Sequence, residues 1–351
     1  MTTERAATAP RALDSRATLE AVVRRLEGER GDLAGPVTLT AVRDHPNSST
    51  GLMRVAGRSG TRDLIAKTLV SCEGPVEAKT QQIEREHRAL VECTRMFGDA
   101  PTLRVPRPVA CFPDLQAVVM EKVAGRLLSD VLGQGRFWPS AATVERIAHA
   151  CRLCGQWLRH LQEASRALAP AASLDLVGPC EVALAQLSAP PRPAVSPEFA
   201  AAVRAHVRAL WRGLDGRDVA VSATHGGFAP YNVVVAPDGR SITVIDFASY
   251  RTDVVEFDYL KFRGRLELLS RGPSFRRRVI DRFTAAFDEG CDRSVDGSST
   301  VSRLLAVRFA LDQMAVSVET RSSDGTSLRR RLALRRRFRH QYRDLTRACR
   351  S

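Results

Sequence analysis

Aromatic residues and long apolar runs are scarce in this sequence. Phe, Trp and Tyr make up 6% of the 351 residues. No stretch approaches the ~20 apolar residues that a helix needs to cross a bilayer. Residues 1–16 contain Arg and Glu but no apolar segment of the kind that signal peptides carry. The eight cysteines therefore indicate reduced thiols in a cytoplasmic protein and not a secreted disulfide framework.

Acidic residues are outnumbered, and the basic excess is concentrated at the C-terminus. The formal net charge is +14, and residues 321–351 hold eleven arginines against Asp324 and Asp344, which accounts for nine of these charges. Leucine and aromatic residues alternate with the arginines at helical spacing. We expect a basic helix or tail over 326–351 that packs by its apolar side, with weak contact to a polyanion or a membrane surface as a second role.

The composition is otherwise that of a globular protein, and its pattern changes along the chain. With 44% hydrophobic and 26% charged residues, wholesale disorder is excluded. An apolar stripe predicts a helix in an N-terminal extension over 1–36, and β-branched segments predict a strand-rich lobe over 37–121. Helical spacing dominates 122–325, apart from one β-hairpin and an Ala- and Pro-rich stretch at 169–195 that is interpreted as loop. We predict an α+β fold with two unlike lobes and a cleft between them.

The hairpin places two oxygen-bearing side chains near each other. Its strands are predicted at Asn232–Val235 and Ile242–Ile245, and the Asp-Gly pair between them is a strong hairpin signal. Asn232 and Asp246 then lie at opposite ends of one hairpin and can converge on one point. Carboxylate and amide oxygens suit a Mg²⁺ ion that bridges nucleotide phosphates.

Lys67 lies in an otherwise apolar strand of the first lobe. A buried ammonium needs an anionic partner. Glu86, on the following helix, is the candidate that would orient it, with Glu84 as the less favoured alternative. A nucleotide phosphate could share the same ammonium.

These segments resemble the aminoglycoside phosphotransferase and choline kinase family, which has a protein-kinase-like fold. The likeness covers residues 37–320 and implies a nucleotide site in the strand-rich lobe and a metal and acceptor site in the helical lobe, which carries a catalytic β-hairpin. The motifs occur in the family's order, namely Ile65-Ala66-Lys67, Arg85-Glu86, Val118-Val119-Met120-Glu121 with Gly125, His225-Gly226 with Asn232, and Ile245-Asp246-Phe247.

The resemblance implies how ATP, or GTP in its place, would be held. Lys67 would contact the α- and β-phosphates, and Glu86 would hold Lys67 in place. Backbone groups of Glu121 and Val123 would meet the adenine. Ser49 lies in the segment that would cover the phosphates, although this segment lacks the Gly-x-Gly-x-x-Gly of protein kinases.

The resemblance also implies roles in the second lobe. Asn232 and Asp246 would bind Mg²⁺, His225 would brace the catalytic loop, and Asp258 would support it. The family places an aspartate two residues after the histidine, where it accepts the proton of the substrate hydroxyl or orients that hydroxyl. Here that position is Gly227, which has no side chain for this role.

Two interpretations of Gly227 follow. General-base catalysis contributes ~10²–10⁴ in rate, and phosphoryl transfer depends mainly on positioning and electrostatics. Another group could therefore act in its place, with Asp253, Glu256 and Tyr231 as the nearest candidates in the sequence. The alternative is a pseudokinase that binds nucleotide and acts as a regulator or scaffold.

The charge of the later helical region bears on the acceptor. Residues 253–319 hold eleven acidic and eleven basic side chains. A site for a polycationic aminoglycoside would be expected to show an acidic surplus, which is absent from this stretch. The sequence therefore favours a small-molecule acceptor that is neutral or anionic.

Overall fold

The computed structural model describes residues 14–28, 35–45, 47–57, 60–70, 74–98, 100–189, 193–270, 274–292, 298–322 and 328–349. The remaining parts of the predicted N-terminal extension and C-terminal tail lie outside these residues. The strands are β1 Val37–His45, β2 Ser48–Gly57, β3 Gly60–Thr68, β4 Leu103–Arg104, β5 Pro108–Phe112, β6 Ala117–Glu121, β7 Arg126–Leu127, β8 Ala167–Pro170, β9 Asp218–Thr224, β10 Val233–Val235, β11 Ile242–Val244 and β12 Arg251–Val254. The helices are α1 Ser15–Gly28, α2 Val76–Phe97, α3 Leu128–Gly133, α4 Ala141–Ser165, α5 Gly178–Ser188, α6 Pro197–Arg212, α7 Glu256–Ser270, α8 Arg277–Cys291, α9 Thr300–Ser322 and α10 Leu328–Ala348.

Strands β1, β2, β3, β6 and β5 form one antiparallel sheet in that order. Side chains along each strand alternate between the two faces of the sheet. Lys67 lies in register between Thr50 and Val118, on the face that carries α2. Its neighbour Ala66 and the paired Val119 belong to the opposite face, which α1 covers. The alternation therefore directs the one lysine of β3 towards α2.

Helix α1 closes the back of this sheet. It begins where the Asp14 carboxylate accepts a hydrogen bond from the Arg16 N–H at 2.9 Å, which caps the first turn. Leu19, Val22 and Leu26 are buried against the sheet. Burial of each such side chain contributes roughly 1.5–3 kcal/mol of hydrophobic free energy. The helix expected from this apolar stripe is present.

The segment expected to form a loop over the phosphates is instead the start of β2. Ser49 pairs with Thr68, the residue after Lys67, so its side chain points to the α1 face of the sheet. It is fully buried there, and its hydroxyl donates to Asp44 Oδ1 at 2.5 Å and lies 2.9 Å from Ser15 Oγ. This orientation is incompatible with the expected phosphate contact of Ser49, because period-2 alternation separates it from the Lys67 face.

Strands β10 and β11 form the predicted hairpin, with Val233 paired to Val244. Strands β7 and β4 flank the hairpin to give the sheet order β4-β11-β10-β7. Asn232 directly precedes β10, and Asp246 follows β11 by two residues. The hairpin therefore brings both residues to the same end of this small sheet.

An aromatic core anchors the loop that precedes the hairpin. Trp157 of α4 is fully buried, stacks on Phe228 with ring centroids 5.3 Å apart, and meets His225 edge-on at 6.3 Å. The ring of Phe247 lies 4.8 Å from the ring of His225. Because His225 and Phe228 belong to the loop and Phe247 follows Asp246, this core fixes the two candidate catalytic segments relative to each other.

Helix α5 occupies part of the stretch interpreted as loop. Leu184 and Leu187 are buried, and the helix packs against α9. Pro179 lies in its first turn, where a missing N–H costs no hydrogen bond. The loop prediction is therefore wrong for Gly178–Ser188, because the Ala- and Pro-rich composition contains a short apolar helix.

Helix α10 is an amphipathic basic helix that packs on the helical lobe. Leu334, Gln341 and Leu345 are buried, and Tyr342 stacks on Phe199 of α6 with ring centroids 4.1 Å apart. The opposite side exposes Arg331, Arg335, Arg336, Arg339, Arg343 and Arg347. Among the described residues, no helix combines the length and apolarity required to span a membrane.

Candidate active site

Lys67 is held between two carboxylates that come from different parts of the chain. Its Nζ lies 2.9 Å from both Glu86 carboxylate oxygens, on α2, and 2.6 Å from Asp246 Oδ1, beyond the hairpin. The Glu86 side chain is 1% exposed and that of Lys67 13%, whereas that of Asp246 is 46% exposed. One ammonium therefore connects the two lobes, and three residues expected to act together lie in contact.

The two carboxylates keep Lys67 charged. Burial alone would lower the pKa of its ammonium, but the charges of Glu86 and Asp246 raise that pKa above its ordinary value. At Asp246, burial raises the pKa, but the Lys67 ammonium outweighs burial and lowers it below its ordinary value. Both groups are charged at neutral pH, which is the state needed to hold a polyphosphate and a divalent cation.

Asn232 and Asp246 lie side by side at the open end of the hairpin, where the Ile245 N–H donates to the Asn232 carbonyl oxygen at 2.9 Å. The Asn232 Nδ2 donates to the Gly227 carbonyl oxygen at 3.0 Å, so the amide oxygen is the atom left for a cation. Asp246 uses Oδ1 for Lys67 and is partly exposed. These hard oxygens fit Mg²⁺, which proteins usually bind through one or two side chains and the phosphates of the substrate.

The loop between β9 and β10 is held by a buried carboxylate and a buried imidazole. Asp258, at the start of α7, accepts hydrogen bonds from the His225 N–H at 2.5 Å and the Gly226 N–H at 3.1 Å. The His225 Nδ1 accepts from the Gly227 N–H at 3.1 Å, so its Nε2 carries the proton and donates to the Ile245 carbonyl oxygen at 3.0 Å. This geometry ties the loop to the residue before Asp246.

Burial sets the protonation of both supporting groups. It lowers the pKa of His225 to about 4, which keeps the imidazole neutral. It raises the pKa of Asp258 to about 6, although the two N–H donors and Lys261 act in the opposite direction. A neutral His225 with both nitrogens engaged fits the bracing role expected from the sequence better than proton transfer.

Gly227 has room for a side chain. A Cβ there would lie 3.3 Å from Asn232 Nδ2 and 3.4 Å from the His225 ring, so small shifts would accommodate it. Its neighbour Gly226 differs, because its φ is +74° and a Cβ would lie 2.2 Å from the Ser249 carbonyl oxygen. The backbone requires glycine at 226 but not at 227.

Of the three residues considered as substitute bases, Asp253 is engaged elsewhere. It is 6% exposed, its Oδ2 accepts from Arg251 Nη2 at 2.6 Å, and its Oδ1 accepts from the Val254 N–H at 2.9 Å. Tyr231 is 46% exposed, and Glu256 begins α7. Asp253 therefore cannot act as the substitute base, whereas Tyr231 and Glu256 remain candidates for that role.

The hinge after β6 has one backbone group already in use. The Glu121 N–H donates to the Arg107 carbonyl oxygen at 2.9 Å, so this N–H is not available to a nucleotide base. The Val123 N–H and C=O form no hydrogen bond with any described residue. Val123 can therefore present a free peptide group to a ligand.

Sequence reasoning missed Lys261. This residue of α7 donates from Nζ to the Gly226 carbonyl oxygen, directly beside Gly227. In the sequence it was only one of the basic residues of its region. Its position one helical turn after Asp258, which binds the same loop, is the signal that could have identified it.

Comparisons with known proteins identify the family and the fold of the chain. Residues 56–290 match the model of the phosphotransferase enzyme family. No curated protein sequence matches the chain significantly.

Solved structures share the fold at low sequence identity. The chain is similar to an amicoumacin kinase in complex with AMP-PNP, Ca²⁺ and Ami (13% identity, TM-score 0.56, covering 95% of this chain and 94% of that one). It is also similar to a macrolide 2'-phosphotransferase from Brachybacterium faecium (14% identity, TM-score 0.50, covering 92% of this chain and 98% of that one). A third similar structure is an aminoglycoside-3'-phosphotransferase of type VIII (19% identity, TM-score 0.50, covering 83% of this chain and 99% of that one). With the family match over two thirds of its length and a two-lobed protein-kinase-like architecture, the chain belongs to the phosphotransferase enzyme family.

Proposed function

We propose that this protein transfers the γ-phosphoryl group of ATP to a hydroxyl group of a small molecule. The observation that carries this proposal is the junction of Lys67, Glu86 and Asp246, with Asn232 beside it. It supplies a fixed cation for phosphates and hard oxygens for a metal in one place. Phosphoryl transfer needs little else from a protein than such positioning and charge stabilisation.

Each residue of the junction then has one task. Glu86, which is almost fully buried, fixes Lys67 so that its ammonium meets the α- and β-phosphates. Asn232 and Asp246 would hold Mg²⁺, which neutralises charge on the phosphate oxygens when it is bound. The peptide group of Val123 would meet the base.

The transfer forms a bond between the acceptor oxygen and the γ-phosphorus and breaks the bond from that phosphorus to the bridging oxygen. ADP leaves with the electron pair of the broken bond, and the proton of the acceptor hydroxyl passes to solvent or to a nearby base. Gly227 supplies no such base. We therefore expect a slow enzyme whose rate is limited by acceptor activation.

A pseudokinase is the second candidate, and Gly227 is the observation that favours it. Asp253 cannot take over as base, because both its oxygens are engaged. A pseudokinase would bind Mg-ATP through Lys67, Asn232 and Asp246 without turnover.

Calorimetry with a matched pair of variants tests the proposal. Asp246→Asn removes the charge at the junction, whereas Asp238→Asn makes the same change in the exposed turn at the other end of the hairpin. A lost charge-assisted contact of ~1.5–3 kcal/mol corresponds to a Mg-ATP affinity roughly 10–150-fold weaker for Asp246→Asn. Asp238→Asn should bind like the wild type.

Turnover separates the two candidates. Release of ADP from Mg-ATP by the wild type, lost in Asp246→Asn and kept in Asp238→Asn, identifies an enzyme. Binding without any ADP release identifies the pseudokinase. The absence of heat with Mg-ATP and Mg-GTP alike would rule out both.

A further inference from the structure

A cavity of about 530 Å³ lies between α7, α9 and α10. Lys261 lines it and donates to the Gly226 carbonyl oxygen. Arg265, one helical turn further along α7, also lines it, and its guanidinium lies 5.9 Å from the ring centroid of Tyr231, which belongs to the same loop. Two cations of α7 therefore stand between this cavity and the segment that holds Gly227.

The walls of the cavity are largely apolar. Leu260, Leu268, Val307, Phe309 and Ala310 contribute to them. Gly264, in the middle of α7, also lines the cavity, and a Cβ built there would have no atom within 4 Å. Glycine is less favourable than alanine inside a helix. At position 264 the missing side chain leaves the cavity wider than any other residue would.

The acidic groups of the cavity are mostly paired with other partners. Glu267 lies 3.5 Å from Arg263 Nε, and Asp344 lies 3.3 Å from His340 Nδ1. Asp312 is the remaining carboxylate among the described lining residues. Burial raises its pKa, against the influence of Arg308, Lys261 and Arg265.

Arg263 is the lining cation that pairs with Glu267, and the other three described lining cations lack such a partner. Within the described chain, Lys261, Arg265 and Arg303 have no carboxylate at ion-pair distance. Arg265 lies over the Tyr231 ring and donates to the Gln313 amide oxygen at 3.1 Å once that amide is oriented to accept. Arg308, which is not a lining residue, has its guanidinium 4.9 Å from the Phe257 ring centroid and a buried Nε that donates to no described acceptor. Three lining cations therefore face one carboxylate, and a desolvated cation is stabilised by an anion.

We propose that this cavity is the acceptor site and that it takes an organic anion, an apolar body that carries a carboxylate, sulfonate or phosphate group held by Lys261 and Arg265. The identification as an acceptor site rests on the proposed phosphotransferase function, whereas the preference for an anion rests on the cavity alone. The planar guanidinium of Arg265 suits a two-oxygen anion. A polycation would meet repulsion from the same side chains.

Fluorescence titration with two matched probes tests the preference. 6-Hydroxy-2-naphthoate and 2-naphthol share an aromatic body and a hydroxyl group, and only the first carries a carboxylate. One charge-assisted contact corresponds to an affinity roughly tenfold or more higher for the naphthoate than for the naphthol. 6-Hydroxynaphthalene-2-sulfonate and 2-naphthyl phosphate then show which anionic group is held most tightly.

Three variants locate the binding. Arg265→Gln should remove most of the naphthoate preference while naphthol binding stays. Gly264→Phe should fill the open space and weaken both probes alike, without a backbone clash. Arg336→Gln removes an exposed arginine of α10 that lies away from the cavity lining, and it should leave both affinities unchanged. Circular dichroism confirms that each variant is folded, and Lys261→Met replaces Arg265→Gln if the latter is not.

The outcomes distinguish this inference from the proposed function. Equal affinities for naphthoate and naphthol, or a naphthoate preference that survives both Arg265→Gln and Gly264→Phe, would overturn the anion site even if Mg-ATP binds. Conversely, a naphthoate preference that is lost in Arg265→Gln supports the anion site even if calorimetry detects no Mg-ATP binding, in which case only its role as an acceptor site fails.

Discussion

Restoring a carboxylate at Gly227 is the most informative single change. The position accepts a Cβ with closest contacts of 3.3 Å to Asn232 Nδ2 and 3.4 Å to the His225 ring. The backbone around it is already fixed, because the Gly227 N–H donates to His225 and its carbonyl accepts from Asn232. Gly227→Asp therefore adds a side chain to a formed loop and does not have to rebuild that loop.

The expected effect is a gain of activity. A general base contributes typically ~10²–10⁴ in rate, so Gly227→Asp should raise ADP release from Mg-ATP in single-turnover experiments by up to that factor. Gly227→Asn is the matched control, since it has the same shape without a charge able to accept a proton, and it should give little or no gain. Mg-ATP affinity, measured by calorimetry, should change little in either variant.

Gly226→Ala shows whether the loop geometry is correct. Its φ of +74° and the 2.2 Å approach of a Cβ to the Ser249 carbonyl oxygen predict a strongly destabilised protein, unlike Gly227→Ala.

If Gly227→Asp is folded and binds Mg-ATP but is no faster than Gly227→Asn, then a missing base does not limit the reaction. The same result in a protein without basal turnover would favour the pseudokinase.

Two further predictions concern stability and the basic helix. Below pH 6.5 the lowered pKa of His225 makes the fold less stable as pH falls, whereas the raised pKa of Asp258 makes it more stable between pH 6 and 4, so the two nearly cancel. Asp258→Asn removes the effect of the raised Asp258 pKa. Urea unfolding of this variant should show the free energy of unfolding falling by roughly 3 kcal/mol between pH 6.5 and 4. If its stability depends on pH as weakly as that of the wild type, His225 is not a buried neutral imidazole. The exposed arginines of α10 predict retention on heparin that falls steeply with salt. Joint replacement of Arg335, Arg336 and Arg339 by Gln should lower the salt concentration at which the protein elutes. Elution at the wild-type salt concentration would leave α10 with only its packing role.

The sequence was sufficient for those parts of the site that local patterns define. The Asp-Gly turn between β-branched runs predicted the hairpin that carries Asn232 and Asp246. A lone lysine in an apolar strand, followed by a helix with Glu86, predicted the buried ion pair. In both cases the geometry of neighbouring residues determines the result. Side chains along a strand alternate between the two faces of the sheet, and a tight turn fixes the register of the hairpin that it closes.

The rest depended on register and on packing between distant helices. Ser49 was assigned to a phosphate-covering loop, but β2 already begins at Ser48 and turns that side chain towards α1. The proposed anion cavity could not be found from the sequence, because residues 253–319 are balanced in charge. Only packing shows that Glu267 and Asp344 form ion pairs, whereas Lys261 has no carboxylate at ion-pair distance among the described residues. A count of charges along a segment therefore says little about the charge of a pocket.

The two neighbouring glycines of the catalytic loop separate structure from chemistry. Gly226 is required by the backbone, and a buried Asp258 carboxylate binds its N–H even though burial raises the pKa of that carboxyl to about 6. The loop is thus held in a costly arrangement in which the Gly227 carbonyl oxygen accepts from the Asn232 amide. At Gly227 no such constraint exists, so under the proposed function its missing side chain would change only the acceptance of the proton. A protein with this loop should therefore bind a metal–nucleotide complex fully and differ from an efficient phosphotransferase in one step alone, the activation of the acceptor hydroxyl.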